Sequence, residues 1–304
     1  MKTRFIVNPR SGGAGLVLAR VHEFASQLQA DVSLTTHRHH ATELATRALL
    51  EGCRLIVAVG GDGTLNEVAS SLVDTPATFG LIPCGSGNGL GRHLGIHGDL
   101  EHALETLRSG RNRLIDTGLA DGHPFFTVAG LGFEAEASAR FNQLTDRGLP
   151  GYVATCAKLW RRHVPEDYWI ECDDHRVPAR GFTVAVANSD QYGNNARIAP
   201  GARIDDGLLD LTVVPPVTLW RALPLLAQLF TGAIGSARGV VCLQSAHFVV
   251  ERAAPGLIHT DGETHTAGAR VEFTLRPRSL RVMAPPTDDM ELLPVEPELS
   301  TLNS

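Results

Sequence analysis

Short apolar runs alternate with longer stretches of helical spacing through the first hundred residues. Arg4–Val7 reads as a strand stopped by Asn8-Pro9. A glycine-rich loop, Ser11-Gly12-Gly13-Ala14-Gly15, leads into helical spacing from Leu16 to Leu28. Asp31–Thr35 is a second short strand, and 41–50 a helix stopped by Gly52. Leu55-Ile56-Val57-Ala58-Val59 is apolar at every position, as a parallel strand buried on both faces must be. It breaks into Gly60-Gly61-Asp62-Gly63-Thr64, and 65–72 is helical again. Phe79–Pro83 is a further strand, closed by a glycine loop over 84–95. This alternation predicts a parallel sheet with covering helices, in which ligands bind where strand C-termini feed loops.

Beyond Arg111 the period shortens. Extended runs at 125–129, 168–172, 182–187, 208–214, 247–251 and 271–275 are separated by turn residues, with helical insertions near 133–144 and 217–230. The reading is a largely antiparallel β domain. The chain is α/β overall: a parallel-sheet domain at 1–115, a β-rich domain at 116–284, and a tail at 285–304 that is either disordered or returns to the first domain.

Composition narrows the classes. With 43% hydrophobic and 20% charged residues the 304-residue chain has material for a real core. A net charge of -6 offers no positive field for nucleic acid. Five scattered cysteines, never spaced C-x-x-C, fit neither a disulfide framework nor a zinc site and point to a reducing cytoplasm. The longest apolar stretch, 217–235, contains Arg221, Pro224 and Gln228 and falls short of a spanning helix. The expectation is a cytoplasmic protein, attached at most to the inner membrane surface.

Three glycine loops after strands let backbone N–H groups converge on an anion. The middle one sets a carboxylate, Asp62, between glycines, suited to a magnesium and water network beside phosphates; capping of the next helix is its plainer use. Val59-Gly60-Gly61-Asp62-Gly63-Thr64-Leu65-Asn66-Glu67-Val68 resembles the signature of the diacylglycerol kinase catalytic family, which includes bacterial lipid kinases and sphingosine kinases. Asn8-Pro9-Arg10-Ser11-Gly12-Gly13 resembles its opening nucleotide loop and Thr35 its nucleotide-contacting threonine. Pro83-Cys84-Gly85-Ser86-Gly87-Asn88 resembles the next loop. Tyr192-Gly193, Ala199-Pro200 and Asp205-Asp206-Gly207-Leu208-Leu209-Asp210 resemble the second-domain signature, and Asp261-Gly262-Glu263 the late motif facing the active site. Two departures stand out: Asn88-Gly89-Leu90 where many bacterial members have Asn-Asp-Phe, and Asn194-Asn195 where glycines are common.

The resemblance implies a phosphofructokinase- or NAD kinase-like first domain and an ATP- and Mg²⁺-dependent lipid kinase. The acceptor is a lipid hydroxyl on diacylglycerol or a related lipid, with a sphingosine-type long-chain base as alternative. It implies nucleotide contacts from Asn8, Pro9, Arg10, Ser11, Gly12, Thr35, Gly60, Gly61, Asp62, Gly63, Thr64, Asn66, Gly85, Ser86, Gly87 and Asn88. The general base is Glu263 or Asp261, with Asp62 as competitor. A structural magnesium would take Asp206 and the Arg203 and Leu208 carbonyls, though Asp206-Gly207 also reads as a plain turn, as does Asp261-Gly262. Peripheral membrane contact and homodimerisation stay open. Acyl or membrane contact is assigned to 133–141 and to Leu219, Trp220, Leu223, Leu226, Leu229 and Phe230. Lys158-Leu159-Trp160-Arg161-Arg162-His163 is a basic, aromatic cluster that meets anionic headgroups or forms a solvated helix end. His37, His39 and His40 read as surface residues rather than metal ligands. The rivals are a soluble-substrate kinase of the NAD kinase kind and a non-catalytic lipid-binding protein.

Overall fold

Every position of the strands Thr3–Val7 (β1) and Leu55–Gly60 (β3) is buried, which places both in the middle of a sheet covered on two sides. In the computed structural model, which describes residues 1–143 and 149–286, β1 pairs in parallel with Asp31–Leu34 (β2) and with β3. β3 pairs in parallel with Thr78–Pro83 (β4). Helices Ala14–Gln27 (α1), His40–Leu50 (α2), Asp62–Leu72 (α3), Gly89–His93 (α4) and Leu100–Ser109 (α5) alternate with these strands. Their apolar faces, including Val21, Phe24, Ala45, Val68 and Leu104, close over Phe5, Val57 and Phe79 to form the first core.

The second half opens with strands Arg111–Ala120 (β5), His123–Phe125 (β6) and Val128–Gly132 (β7). Helices Phe133–Phe141 (α6) and Leu149–Trp160 (α7) follow. Next come Glu166–Cys172 (β8), His175–Gly181 (β9), Thr183–Ala187 (β10), Leu209–Val214 (β11) and helix Leu219–Thr231 (α8). Strands Val241–Ser245 (β12), His247–Arg252 (β13), Gly256–Thr260 (β14), Glu263–Ala267 (β15) and Arg270–Ala284 (β16) complete it. A six-stranded antiparallel sheet runs β12-β11-β10-β7-β14-β15. It packs through Leu131, Val184, Val186 and Leu211 against Tyr168, Ile170, Phe248, Val250 and Phe273 of the other sheet, a β-sandwich with its own core.

The two halves share a sheet. The order β2-β1-β3-β4-β16-β13-β8-β9 carries the parallel sheet directly into the sandwich through β16. The sequence shows only 271–275 as a strand; the structure extends it to Ala284, so that Arg281 and Val282 pair in parallel with Thr78 and Phe79 of β4. β5 runs antiparallel to β16 along its whole length, with a register shift between Arg276 and Leu280. The bulge lies where β16 passes from one half to the other, and a bulge re-aims a strand at such a bend. The buried Asp116 carboxylate holds it, accepting the N–H groups of Arg278 (2.7 Å) and Gly207 (2.8 Å). Residue 115/116, the division expected from sequence, therefore falls inside β5. The expected helix at 133–144 is α6, ending at Phe141, with Leu144 outside the described residues. Of the 285–304 tail, residues 287–304 also lie outside them.

Candidate active site

Adjacent parallel strands β1, β3 and β4 end side by side, and each runs into one glycine loop. The loops interlock. The Gly61 N–H donates to Ser11 Oγ (2.6 Å), and the Gly13 N–H to the Cys84 carbonyl (3.0 Å). Asn8 Nδ2 donates to Thr64 Oγ1 (3.1 Å) while Asn8 Oδ1 accepts the Arg10 N–H (3.1 Å). Gly12 has φ +50°, and a Cβ there would sit 2.1 Å from the Cys84 carbonyl oxygen, so only glycine fits. In the third loop the Asn88 side chain ties back on Gly85, accepting its N–H (2.9 Å) and donating to its carbonyl (2.7 Å). Ser11 and Asn88, expected to contact the nucleotide, thus also brace the loops.

Asp62 joins the second loop to the third. Its two oxygens accept the N–H groups of Asn88 and Gly89, each at 2.9 Å, at the start of α4. Capping is its structural use, but of α4 rather than of its own helix. Gly63 faces the other way: a Cβ there would meet nothing within 4 Å. It opens α3, whose first N–H groups have no acceptor within the helix and carry the positive end of its dipole. The exposed Ser86 and Arg10 and the half-buried Pro9 lie on the same three loops and the half-buried Asn66 in the first turns of α3, while Thr35 is buried at the end of β2 with its N–H on the Val7 carbonyl (2.9 Å). Sequence passed over Glu67, whose carboxylate accepts the Ala41 N–H (3.1 Å) and caps α2 from α3.

The second half meets these loops at three places. Asn194 N–H reaches the Gly87 carbonyl (3.4 Å) and Arg92 donates to Asn195 Oδ1 (3.2 Å). Asn194 and Asn195 both have positive φ, a conformation that asparagine tolerates better than most side chains. His93 of α4 pairs with Asp190 at 2.7 Å, and Arg197 lies 3.5 Å from it. Burial alone would raise the Asp190 carboxyl, but the His93 hydrogen bond and the charges of His93 and Arg197 hold it below the usual range. Finally, a Cβ on Gly89 would lie 3.3 Å from Thr127 Cγ2. Gly89 therefore lets α4 pack closely on the β6–β7 turn.

That turn is pinned by Asp261. Its carboxylate accepts the N–H groups of Phe126 (2.7 Å), Thr127 (2.9 Å) and Val128 (3.0 Å) and the Thr127 hydroxyl. Enclosure pushes the Asp261 carboxyl up against the pull of those four donors. With φ +48° it begins the tight turn between β14 and β15, so the turn reading and the buried-anchor role hold together. Glu263, two residues on, is left half exposed and takes one partner: Arg38, from the loop after β2, at 3.1 Å. Of the three carboxylates proposed from sequence as the base, Asp62 and Asp261 are committed to backbone donors, and Glu263 alone is bonded only to a side chain across the cleft. Beneath the turn, His259 Nδ1 accepts the Gly262 N–H (3.3 Å) and its Nε2 lies 3.3 Å from the buried Glu134, without the alignment of a hydrogen bond. Desolvation raises the Glu134 carboxyl, with His259 opposing. Neither residue carries a sequence signal, because both sit in ordinary strand and helix spacing.

The remaining candidates lie apart. Asp206 is exposed, its Oδ1 accepting the Leu208 N–H (3.1 Å), the bond of an Asx turn. Arg203 turns its guanidinium toward Asp205 (3.5 Å). His37, His40 and Glu43 come together, but the two rings stack 16° from parallel at 4.4 Å and His40 Nδ1 accepts the Thr36 N–H (3.1 Å). Stacked rings cannot both direct an in-plane lone pair at one ion. In the 133–141 segment Phe133 stacks on Phe182 (4.4 Å) beside Trp160 and His163. The adjoining 380 Å³ cavity is lined by Glu136, Ala139, Arg140, Gln143, Leu159 and Leu257.

The sequence profile of the diacylglycerol kinase catalytic domain matches residues 2–120, and that of the YegS C-terminal NAD kinase beta sandwich-like domain matches 127–284. A probable YegS-like lipid kinase of Pseudomonas fluorescens is 32% identical over 267 residues, covering 86% of this chain and 87% of that protein. The chain belongs to the diacylglycerol kinase catalytic family. Another family member, the diacylglycerol kinase of Bacillus subtilis, is 31% identical over 227 residues, 72% of this chain and 75% of that one. The fold is that of the diacylglycerol kinase crystal structure from Bacillus anthracis (TM-score 0.77, 22% identity, 94% and 97% of the two chains). It extends, at a TM-score of 0.56 and 14% identity over 92% and 93% of the chains, to an NAD kinase from Archaeoglobus fulgidus in complex with ATP. For this family member the parallel and antiparallel halves are as the sequence predicted. No helix among its described residues is long and apolar enough to cross a membrane.

Proposed function

We propose that the protein transfers the γ-phosphate of ATP to a lipid hydroxyl, with diacylglycerol or a related lipid as acceptor. One observation carries this reading: three interlocked glycine loops leave Gly63 facing open space at the start of α3, while the β6–β7 turn of the other half, held by the Asp261 carboxylate, packs on Gly89 just after the third loop. Phosphoryl transfer asks mainly for alignment and charge neutralisation, which such a cradle supplies. The ATP bound by the Archaeoglobus protein of like fold supports the choice of nucleotide.

The Gly63 and Ser86 backbone, the Ser86 hydroxyl and Arg10 would hold the phosphates. Glu263 is the base: its one partner, Arg38, is on the surface and exchangeable, whereas Asp261 fixes the turn that aims Glu263. An alcohol gives up its proton only as the new bond forms, so the base acts in the transition state. A magnesium ion, when bound with the nucleotide, neutralises phosphate charge. The Asp62 oxygens keep one lone pair each beyond their amide bonds and are chemically suited to it. Gly89 packed on Thr127, in place of an acid, keeps a long-chain base as second reading for the acceptor.

Radiolabelled ATP with Mg²⁺ against diacylglycerol, monoacylglycerol, phosphatidylglycerol, ceramide and sphingosine decides the matter. A labelled lipid product is expected. Label in none of these lipids, or in NAD alone when NAD is offered in parallel, would end the lipid-kinase reading.

A further inference from the structure

α8 is apolar on two sides. Leu225 and Leu229 turn inward onto the cluster of Val128, Ala185, Ala187, Ile198 and Val214. Trp220, Leu223, Leu226 and Phe230 turn outward and are 88%, 73%, 51% and 47% exposed. Spacings of three and four put these four on one helical face. Ten large apolar residues are exposed among the described residues, and four of them sit on this one helix, so the exposure is a patch and not scatter. The sequence assigned Leu229 to the same stripe; packing divides them.

We infer that the outer face of α8 docks the protein onto an anionic lipid bilayer, with Trp220, Leu223, Leu226 and Phe230 entering the interface. Charge selects this occupant. From Leu211 to Val250 the chain has no Asp or Glu, although its net charge is -6; Arg221 and Arg238 fall within that stretch. Arg197, half exposed, lies alongside: its N–H donates to the Leu229 carbonyl (2.9 Å), and its side chain runs past Gly232 at the helix end. An apolar helical face with a tryptophan at one end and Arg197 beside the other, on a stretch of sequence free of acids, suits acyl chains below and anionic headgroups around. Position gives the docking a use. The 190–197 loop that holds the C-terminal end of α8 also closes on Gly87 of the third glycine loop. A bilayer under α8 thus lies one loop away from the cradle, where a lipid acceptor must arrive. In that use, though not in its observations, the inference rests on the lipid-kinase reading.

Sedimentation of the full chain with phosphatidylglycerol/phosphatidylcholine vesicles, without nucleotide, tests it. The wild type is expected to bind these vesicles, and pure phosphatidylcholine vesicles several-fold more weakly. The exposed double substitution Leu223→Ser/Phe230→Ser should lower binding about tenfold or more at unchanged melting temperature and unchanged activity on detergent-dispersed lipid. Emission should shift to the blue on binding, and the shift should vanish in Trp220→Phe. Absence of binding, or equal binding by the double variant, overturns the inference. So does a dimer in light scattering that the double variant dissociates, which would make this face a contact between copies. Vesicle binding with no phosphorylated lipid sinks the kinase reading alone; phosphorylation of dispersed lipid without vesicle binding sinks the docking alone.

Discussion

The parallel half and the sandwich half contribute to one cleft by opposite means. The first uses main chain: three strand ends, three glycine loops, and side chains such as Ser11, Asn88 and Asp62 that mostly brace those loops. The second uses side chains on one hairpin turn, where Asp261 is buried and holds the backbone while Glu263, the base in the proposed transfer, is left half exposed. A backbone site is damaged by adding a methyl group; a side-chain site is damaged by removing a charge. Neighbouring residues of the same chemical type therefore have different duties.

The sharpest separation is between Glu263 and Asp261. Glu263→Gln should cut turnover about a thousandfold, within the usual range for a lost general base, at an unchanged melting temperature. Asp261→Asn keeps a residue that tolerates positive φ but turns an NH₂ toward backbone donors. It should cost about 2–3 kcal/mol, or roughly 5 °C in melting temperature, and lower activity through the displaced turn. Equal thermal losses in both variants would erase the distinction between actor and anchor. In the first half the matching pair is Gly12 and Gly63. Gly12→Ala, with its Cβ driven into the Cys84 carbonyl, should destabilise by about 1–3 kcal/mol and weaken ATP binding about tenfold. Gly63→Ala meets no protein atom and gains helix propensity, so the apo protein should be up to about 1 kcal/mol more stable in urea titrations while ATP affinity drops. Unchanged ATP affinity would show that Gly63 faces solvent and not phosphate.

The smallest expected effect tests the joint between the halves. Arg113 of β5 lies 2.6 Å from Asp205. Burial would raise that carboxyl, but the hydrogen bond and charge of Arg113, with Arg203, hold it lower than usual. A depressed folded value means stability present above about pH 4, the unfolded value, and lost as pH falls further. Arg113→Gln should thus cost about 0.5–1 kcal/mol at pH 7, since both side chains are partly exposed, and approach wild type at pH 3.5 in urea titrations.

The glycine loops and the strands that feed them were legible because their signals are local: a five-residue apolar run ending in Gly60-Gly61 needs no partner to be recognised. What Asp62 and Asp261 do was not legible. A carboxylate that grips amides 26 or 135 residues away looks the same in sequence as one that meets a ligand. The pairing of β5 with β16 escaped for the same reason, being set by contacts more than 150 residues apart. On α8 the apolar spacing was plain, but which side packs inward depends on Val128 and Ile198, far away in the chain.

The insertion of β16 beside β4 sets an order of events during synthesis. β4 leaves the ribosome early, and its free side has no strand to pair with until residue 282 has emerged. Until then the nascent parallel half carries an open sheet edge, the kind that recruits other chains. A fragment ending at residue 120 would keep that edge permanently, so neither half is expected to behave as a separable product.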